Sequence, residues 1–470
     1  MNEAMAPEVD DRLAAFVEAS FRLLRERCPE HEAPKLRHET WVRRPGDRFV
    51  RSSEPLPWWR DCLFMHIDAL QRLPEADSAR AAVRADPAIG PQLDKLVGTG
   101  LGAHLATPYE ALLKVLLSVA AEQGSFVFEP TAANAAIQKV LAEMRRPDFD
   151  VLLLAPLLGL RTPSEKGSIR GVMETEIGRM TDGEIISSLH WGMLSYPMSD
   201  VVMHVPYASA IRVRGKLKRL IGDPTRGLAS GEATEWEEAA HARIDEVLDS
   251  FRVFKPGRIR HAGAMLFMSG WPVSGALDWP GFSAVRGISG STRPFMHWPA
   301  DYELASDEMG RFVSFCAALD KARRKRLIDV AVRRFSYALE RDRPDDTLID
   351  LVIAAESLFL GDAGDPQERG ELRFRFSLRA AFFLAPDIET RKRFFQFMRN
   401  AYDARSALVH GGEPDPRLFR VFGQDLTLEQ FIERLASELR KALHRAVEIR
   451  DAGSGGLLNW DELVLRGGGQ

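Results

Sequence analysis

Apolar residues recur with a helical period over long parts of this chain. Between Asp10 and Cys28, the residues Leu13, Phe16, Val17, Phe21 and Leu24 fall on one helical face. Tyr109–Glu122 and Ala132–Arg145 repeat the pattern, so residues 1–146 read as a helical region, with the Pro- and Gly-richer stretches 29–60 and 74–106 as connectors. The pattern changes near Asp148. Val151–Leu154 reads as a short buried strand ending at Pro156, and Val201–Val205 and Ala264–Met268 read as further strands. Thr181-Asp-Gly-Glu184 is a capping box that opens a helix to about His190, and Glu232–Phe251 is an amphipathic helix. Residues 147–305 are therefore expected to be a mixed α/β region, suited to sensing. Within them Trp-Pro occurs at Trp271, Trp279 and Trp298, which predicts an irregular, Trp-anchored segment because proline fixes φ and lacks a donor.

From Ser306 the helical period returns. Helices are expected near 307–340, 346–360, 370–384, 388–410 and 427–451, with breakers at Pro344, Gly361 to Gly364, Pro386 and Gly411-Gly412. That order predicts an antiparallel helical bundle over 306–451, followed by a flexible Gly-rich tail, 452–470, around one small apolar element at Leu457–Leu465. The expected fold class is mainly α, with a helical N-terminal region and a mixed middle preceding the bundle.

Composition narrows the function classes. With 470 residues, 45% apolar and 28% charged, the chain is no long disordered, collagenous or disulfide-scaffold protein. No apolar run approaches the roughly 18 residues of a membrane span. Cys28, Cys62 and Cys316 form no CxxC, and their odd number, with no secretory h-region, points to a reducing cytoplasm. The net charge of -4 hides an asymmetry: residues 311–450 carry 26 Lys+Arg against 22 Asp+Glu, so the bundle is basic and the remainder acidic. A basic region of this kind fits an anionic ligand.

The chemistry concentrates in Phe394–Gly412. Phe394, Phe397, Met398, Ala401 and Leu408 make an apolar stripe, and Arg405 falls on it. An arginine there must snorkel, pair with an acid or point into a cleft; Asp403 and Glu356 are the candidate partners. Arg399, Asp403, Ser406 and His410 make a second, polar stripe that ends at Gly411-Gly412. Taken singly, the histidine reads as a helix cap and the arginine as half of a structural ion pair. Lys321–Arg326 and Arg391-Lys392-Arg393 read either as solvated helix faces or as tracks for an RNA backbone. Phe394, Phe395 and Phe397 read as core rather than as base-stacking surfaces. Gly98–Ala103 has the outline of a dinucleotide fingerprint but no preceding strand, and reads as a loop. His31, Glu32, His38 and Glu39 read as a solvated connector, and no metal site or cofactor is expected.

Arg405-Ser-Ala-Leu-Val-His410 resembles the Arg-x4-His signature of the HEPN superfamily. Tyr402-Asp-Ala-Arg405 leading to His410-Gly411-Gly412 is similar to its ApeA-like branch, as are the acidic helix Asp345–Phe359 and the helix Leu372–Ala381, in the same order. The resemblance covers roughly 330–412. It implies a bundle that dimerises, or forms a higher homo-oligomer, and sets Arg–His pairs across a shared cleft. It also implies a metal-independent endoribonuclease of bacterial anti-phage defence, leaving 2′,3′-cyclic phosphate and 5′-OH ends. Arg405 and His410 are then the catalytic residues, supported by Asp403, Ser406, Glu356 and Tyr402, with Arg399, Arg391, Lys392 and Arg393 as RNA contacts. RNA is the expected partner, with a phage-derived trigger or small-molecule ligand for the N-terminal two-thirds, and no membrane. Ser406 departs from the Asn, Asp or His common after the arginine in that superfamily. The alternative reading is a non-catalytic HEPN-like module that binds nucleotides or partners, or only dimerises.

Overall fold

The computed structural model describes residues 6–30, 37–45, 48–162, 167–169, 173–190, 203–204, 209–226, 228, 230–261, 263–272, 284–288, 302–361, 371–451, 460 and 464. Among them the protein is mainly α, with fourteen α-helices and a central antiparallel sheet. The chain divides into two compact units. The first comprises 1–158, 173–243 and 261–298; the second comprises 159–172, 244–260 and 299–470.

In the first unit, helix α1 (Ala6–Arg27) buries the whole stripe seen in the sequence, from Leu13 to Leu24. It is followed by α2 (Trp58–Met65), α3 (Ile67–Gln71), α4 (Pro74–Ala85), α5 (Pro108–Gln123) and α6 (Pro130–Arg145), and it packs against α4, α5 and α6. Thr107 and Glu110 form a capping box at the start of α5. The stretches expected to be connectors are more ordered than that. Arg37–Arg44 and Arg48–Pro55 pair as a hairpin, and Pro74 opens α4 instead of breaking it, because a first-turn proline gives up no helical hydrogen bond. Gly98 and Ala103 face each other in a second hairpin, with Gly100 at φ +96°, so the Gly-rich stretch is a turn. Cys28 and Cys62, both buried, are joined as a disulfide; Cys316 is free and buried.

The sheet runs Ala284–Ile288, Ala264–Ser269, Asp148–Leu158, Ser209–Lys218, Glu174–Arg179, each strand antiparallel to its neighbour. Pro156 does not end its strand, which continues to Leu158 with Pro156 opposite Ala210. Helix α7 (Asp182–His190) begins at the expected capping box, and Glu184 has a second duty there. Both its carboxylate oxygens accept 2.6 Å hydrogen bonds from Arg212, which is buried on the strand Ser209–Lys218. Burial pushes the Glu184 carboxyl up, but the Arg212 hydrogen bonds and charge outweigh it and hold the group below its ordinary value. Trp271 is buried; Trp279 and Trp298, and most of the expected strand Val201–Val205, lie outside the described residues.

Helix α8 (Gly231–Phe254) contributes its later residues to the second unit, which is otherwise helical: α9 (Ser306–Arg323), α10 (Arg326–Ala338), α11 (Pro344–Leu360), α12 (Leu372–Leu384), α13 (Ile388–Val409) and α14 (Leu428–Asp451). The single helix expected at 307–340 is two, parted at Arg324-Lys325 with no proline or glycine to mark the break. One apolar core joins these helices, with Phe335, Phe359, Phe376, Phe397 and Phe431 at its centre. Trp460, in the tail, is buried against Phe359 and Phe383; residues 452–459 and 465–470 lie outside the described residues.

Arg323 and Arg252 are both buried here and share Asp249. Arg323 hydrogen-bonds Asp249 and reaches Asp329 at 3.1 Å; Arg252 donates to Ser336 at 2.6 Å and lies 3.9 Å from Asp249. Burial opposes the charge on Arg323, but Asp249 and then Asp329 more than restore it. No helix among the described residues is long and apolar enough to cross a membrane.

Candidate functional site

Helix α13 carries most of the candidate residues. Asp387 caps its start, its side chain accepting from the Thr390 N–H at 2.9 Å. Phe394, Phe397, Met398 and Ala401 are buried, which fixes how the helix is rotated and therefore where each polar residue points. Its end is a Schellman motif. The Gly412 N–H donates to the Ala407 carbonyl at 2.9 Å and the Gly411 N–H to that of Leu408 at 3.0 Å, with Gly411 at φ +78°. A Cβ at that φ is strained, so Gly411→Ala is expected to cost about 1 kcal/mol of stability, read as an earlier denaturation midpoint.

Arg405 lies half-buried on the apolar side. One guanidinium nitrogen is 3.8 Å from a Glu356 carboxylate oxygen, with the two side chains 26% and 24% exposed, and its Nε is buried with no partner. Of the two acids weighed as partners, geometry takes Glu356, because residues two apart on a helix do not face each other. Asp403 instead accepts from Arg373 on α12 at 2.7 Å. Burial raises the Glu356 carboxyl above its usual range, against the pull of Arg405. Burial and then the Glu356 charge raise the half-buried Tyr402 phenol, whose ring lies 5.7 Å from Phe376. Glu356, Arg405, Tyr402, Asp403 and Arg373 thus form one electrostatic cluster.

His410 stands apart from it. It is the C-cap residue, exposed, and its ring has no hydrogen bond or ion pair among the described residues. Five residues of helix turn the chain by about 140° and advance it about 7.5 Å, so Arg405 and His410 occupy different faces of α13. His410 belongs with Arg399 and Ser406, whose side chains are also unpartnered among the described residues, and with Asp403.

The basic clusters separate clearly. Arg391 is spent on the carbonyls of Ala385 and Pro386 and lies over the Phe382 ring, and Lys392 pairs with Glu389 at 2.8 Å. Arg393 is exposed and has no partner among the described residues. In the other run Arg323 is buried in the Asp249 network, while Arg324, Lys325 and Arg326 are exposed and unpaired among the described residues. Two residues of interest had no flag in the sequence: Arg373, the partner of Asp403, and Phe374 beside it, which leaves half its surface open. Among the described residues no three His, Cys, Asp or Glu side chains gather as a metal site.

No family model, curated protein or solved structure matches this chain.

Proposed function

We propose that the protein is an RNA-cleaving effector of the HEPN type, acting in bacterial defence against phage. The observation that carries the reading is the contrast on α13: an exposed, unpartnered imidazole at the helix end, and five residues earlier a guanidinium with an unsatisfied Nε and only a 3.8 Å contact to Glu356. RNA brings its own nucleophile. The 2′-OH attacks phosphorus while a base removes its proton, the P–O5′ bond breaks, and the leaving 5′-oxygen takes a proton. His410 serves as base or acid, since an imidazole nitrogen can both accept and donate a proton. Arg405 holds the scissile phosphate in exchange for its loose hold on Glu356. Because the two residues face different ways within one bundle, the site is completed by a second copy, whose His410 meets the first copy's Arg405 across the dimer cleft. Glu356, Tyr402 and Asp403 position the arginine and do not react. Residues 1–305 answer a phage-derived trigger or a small ligand. The Cys28–Cys62 disulfide runs against the reducing cytoplasm expected from the cysteine count, so the cytoplasmic placement rests on the RNA substrate alone.

The separate faces of Arg405 and His410, with Ser406 between them, equally favour a second reading: a HEPN-like module that binds nucleotides or partners without cleaving. Total RNA incubated with the purified protein in EDTA separates the two. The first reading expects fragments with 2′,3′-cyclic phosphate and 5′-OH ends and intact DNA; RNA undamaged with or without EDTA leaves the second, and cleavage that EDTA stops overturns the metal-independent mechanism.

A further inference from the structure

The polar stripe of α13, half-buried until it reaches the exposed His410, has features that cleavage alone does not use. Phe394 and Phe397 are buried, whereas Phe395 is only partly buried at the edge of the core and meets Phe374 of α12 edge-on, with ring centroids 5.6 Å apart. Phe374 is 50% exposed, an unusual place for a ring with no water-seeking atom. One turn further along the stripe comes Arg399, unpaired among the described residues, then Asp403 neutralised by Arg373, then Ser406 and His410, whose polar ends are also without a partner among the described residues. From Phe395 to His410 the stripe is about 22 Å long at 1.5 Å per residue. An open aromatic face on α12, braced by Phe395 of α13, with a cation one helical turn beyond Phe395, is the combination by which sequence-tolerant single-strand binders hold a base and a phosphate together.

We infer that this stripe is a docking track for single-stranded RNA: a base stacks on Phe374 where Phe395 braces it, Arg399 takes a backbone phosphate, and the strand leads on to His410. The inference rests on the RNA reading above but concerns binding, so it can fail or stand separately. It also replaces Arg391 and Lys392 as the RNA contacts of this helix, since both are already engaged.

The test is fluorescence anisotropy of a labelled oligouridine, and of an RNA duplex, against the full chain carrying His410→Ala so that the RNA stays whole. Phe374→Ala is expected to weaken single-strand binding about 5- to 150-fold, the worth of one stacked base. Phe374→Trp should restore it, which a mere folding defect would not allow. Arg399→Ala should flatten the dependence of log K on log salt by about 0.7, one phosphate's share. Unchanged affinity in Phe374→Ala and Arg399→Ala overturns the track even if the wild type cleaves RNA. Loss of affinity in both supports it even if the wild type never cleaves, in which case the catalytic reading falls alone. A Phe374→Ala protein that binds RNA normally but changes its oligomeric state overturns it too, marking the stripe as a contact between copies.

Discussion

Replacing Asp249 with alanine is expected to destabilise the second unit by roughly 3–5 kcal/mol, the cost of leaving buried guanidinium charge uncompensated. Asp249 is 6% exposed and serves two arginines that are themselves buried, Arg323 and Arg252. Arg323 would keep Asp329, and Arg252 would keep Ser336 and the more open Glu340, so neither is wholly abandoned. What is lost is the only carboxylate in the network that is as deeply placed as the cations. Denaturant titration should show the midpoint falling sharply, with Asp249→Asn intermediate because the amide keeps an acceptor but no charge. The same change at Glu389, whose pair with Lys392 is exposed on both sides, should cost under about 1 kcal/mol. Equal effects at the two positions would refute this ranking.

Cleavage should fall about 10²–10⁴-fold in His410→Ala, the usual worth of a general acid–base group. It should fall about 10²–10³-fold in Arg405→Ala, the scale for one donor to a transition-state oxyanion. The two variants differ in how they are interpreted. The exposed His410 ring makes no hydrogen bond or ion pair among the described residues, so its removal should leave stability within about 0.5 kcal/mol, and lost activity there is lost chemistry. Arg405 balances Glu356 in a half-buried setting, so its removal also strands a carboxylate. Arg405→Ala, Glu356→Gln tests that point: stability should return and cleavage should not. Wild-type rates in His410→Ala would end the catalytic proposal.

Local patterns carried the helices well. The α1 stripe, the box at Thr181 and Glu184 and the Gly411 terminus each depend on residues within a few positions of one another, and each lies where the sequence places it. The misses are of two kinds. The sequence predicts a strand end at Pro156 and a connector over 74–106, although a proline opening a helix, as Pro74 does, or sitting in a strand removes a hydrogen bond the element does not need there. The other misses are pairings across distance. Nothing near Glu184 announces Arg212, 28 positions away, and nothing near Arg323 announces Asp249, 74 positions earlier. At the candidate site the same division holds. The apolar stripe and the Gly411 terminus of α13 are local and legible, whereas the choice of Glu356 over Asp403 as the partner of Arg405 depends on α11 packing against α13, and the exposure of Phe374 on where α12 crosses α13.

The interleaving of the two units limits how this chain can be cut. Arg323 lies in the helical stretch that begins at Ser306, but the acid it needs is at position 249, and the Tyr302 hydroxyl reaches back to the carbonyl of Phe251. A fragment starting at Ser306 would begin life without either, as an incomplete interior with stranded cations. Nor can the first unit be released by a single truncation, since its strands at 264–269 and 284–288 follow a segment that belongs to the other. Proteolytic trimming or gene fusion that treats the last third as a portable cassette should therefore give insoluble material, and transplanting the activity requires the chain from its early strands onward.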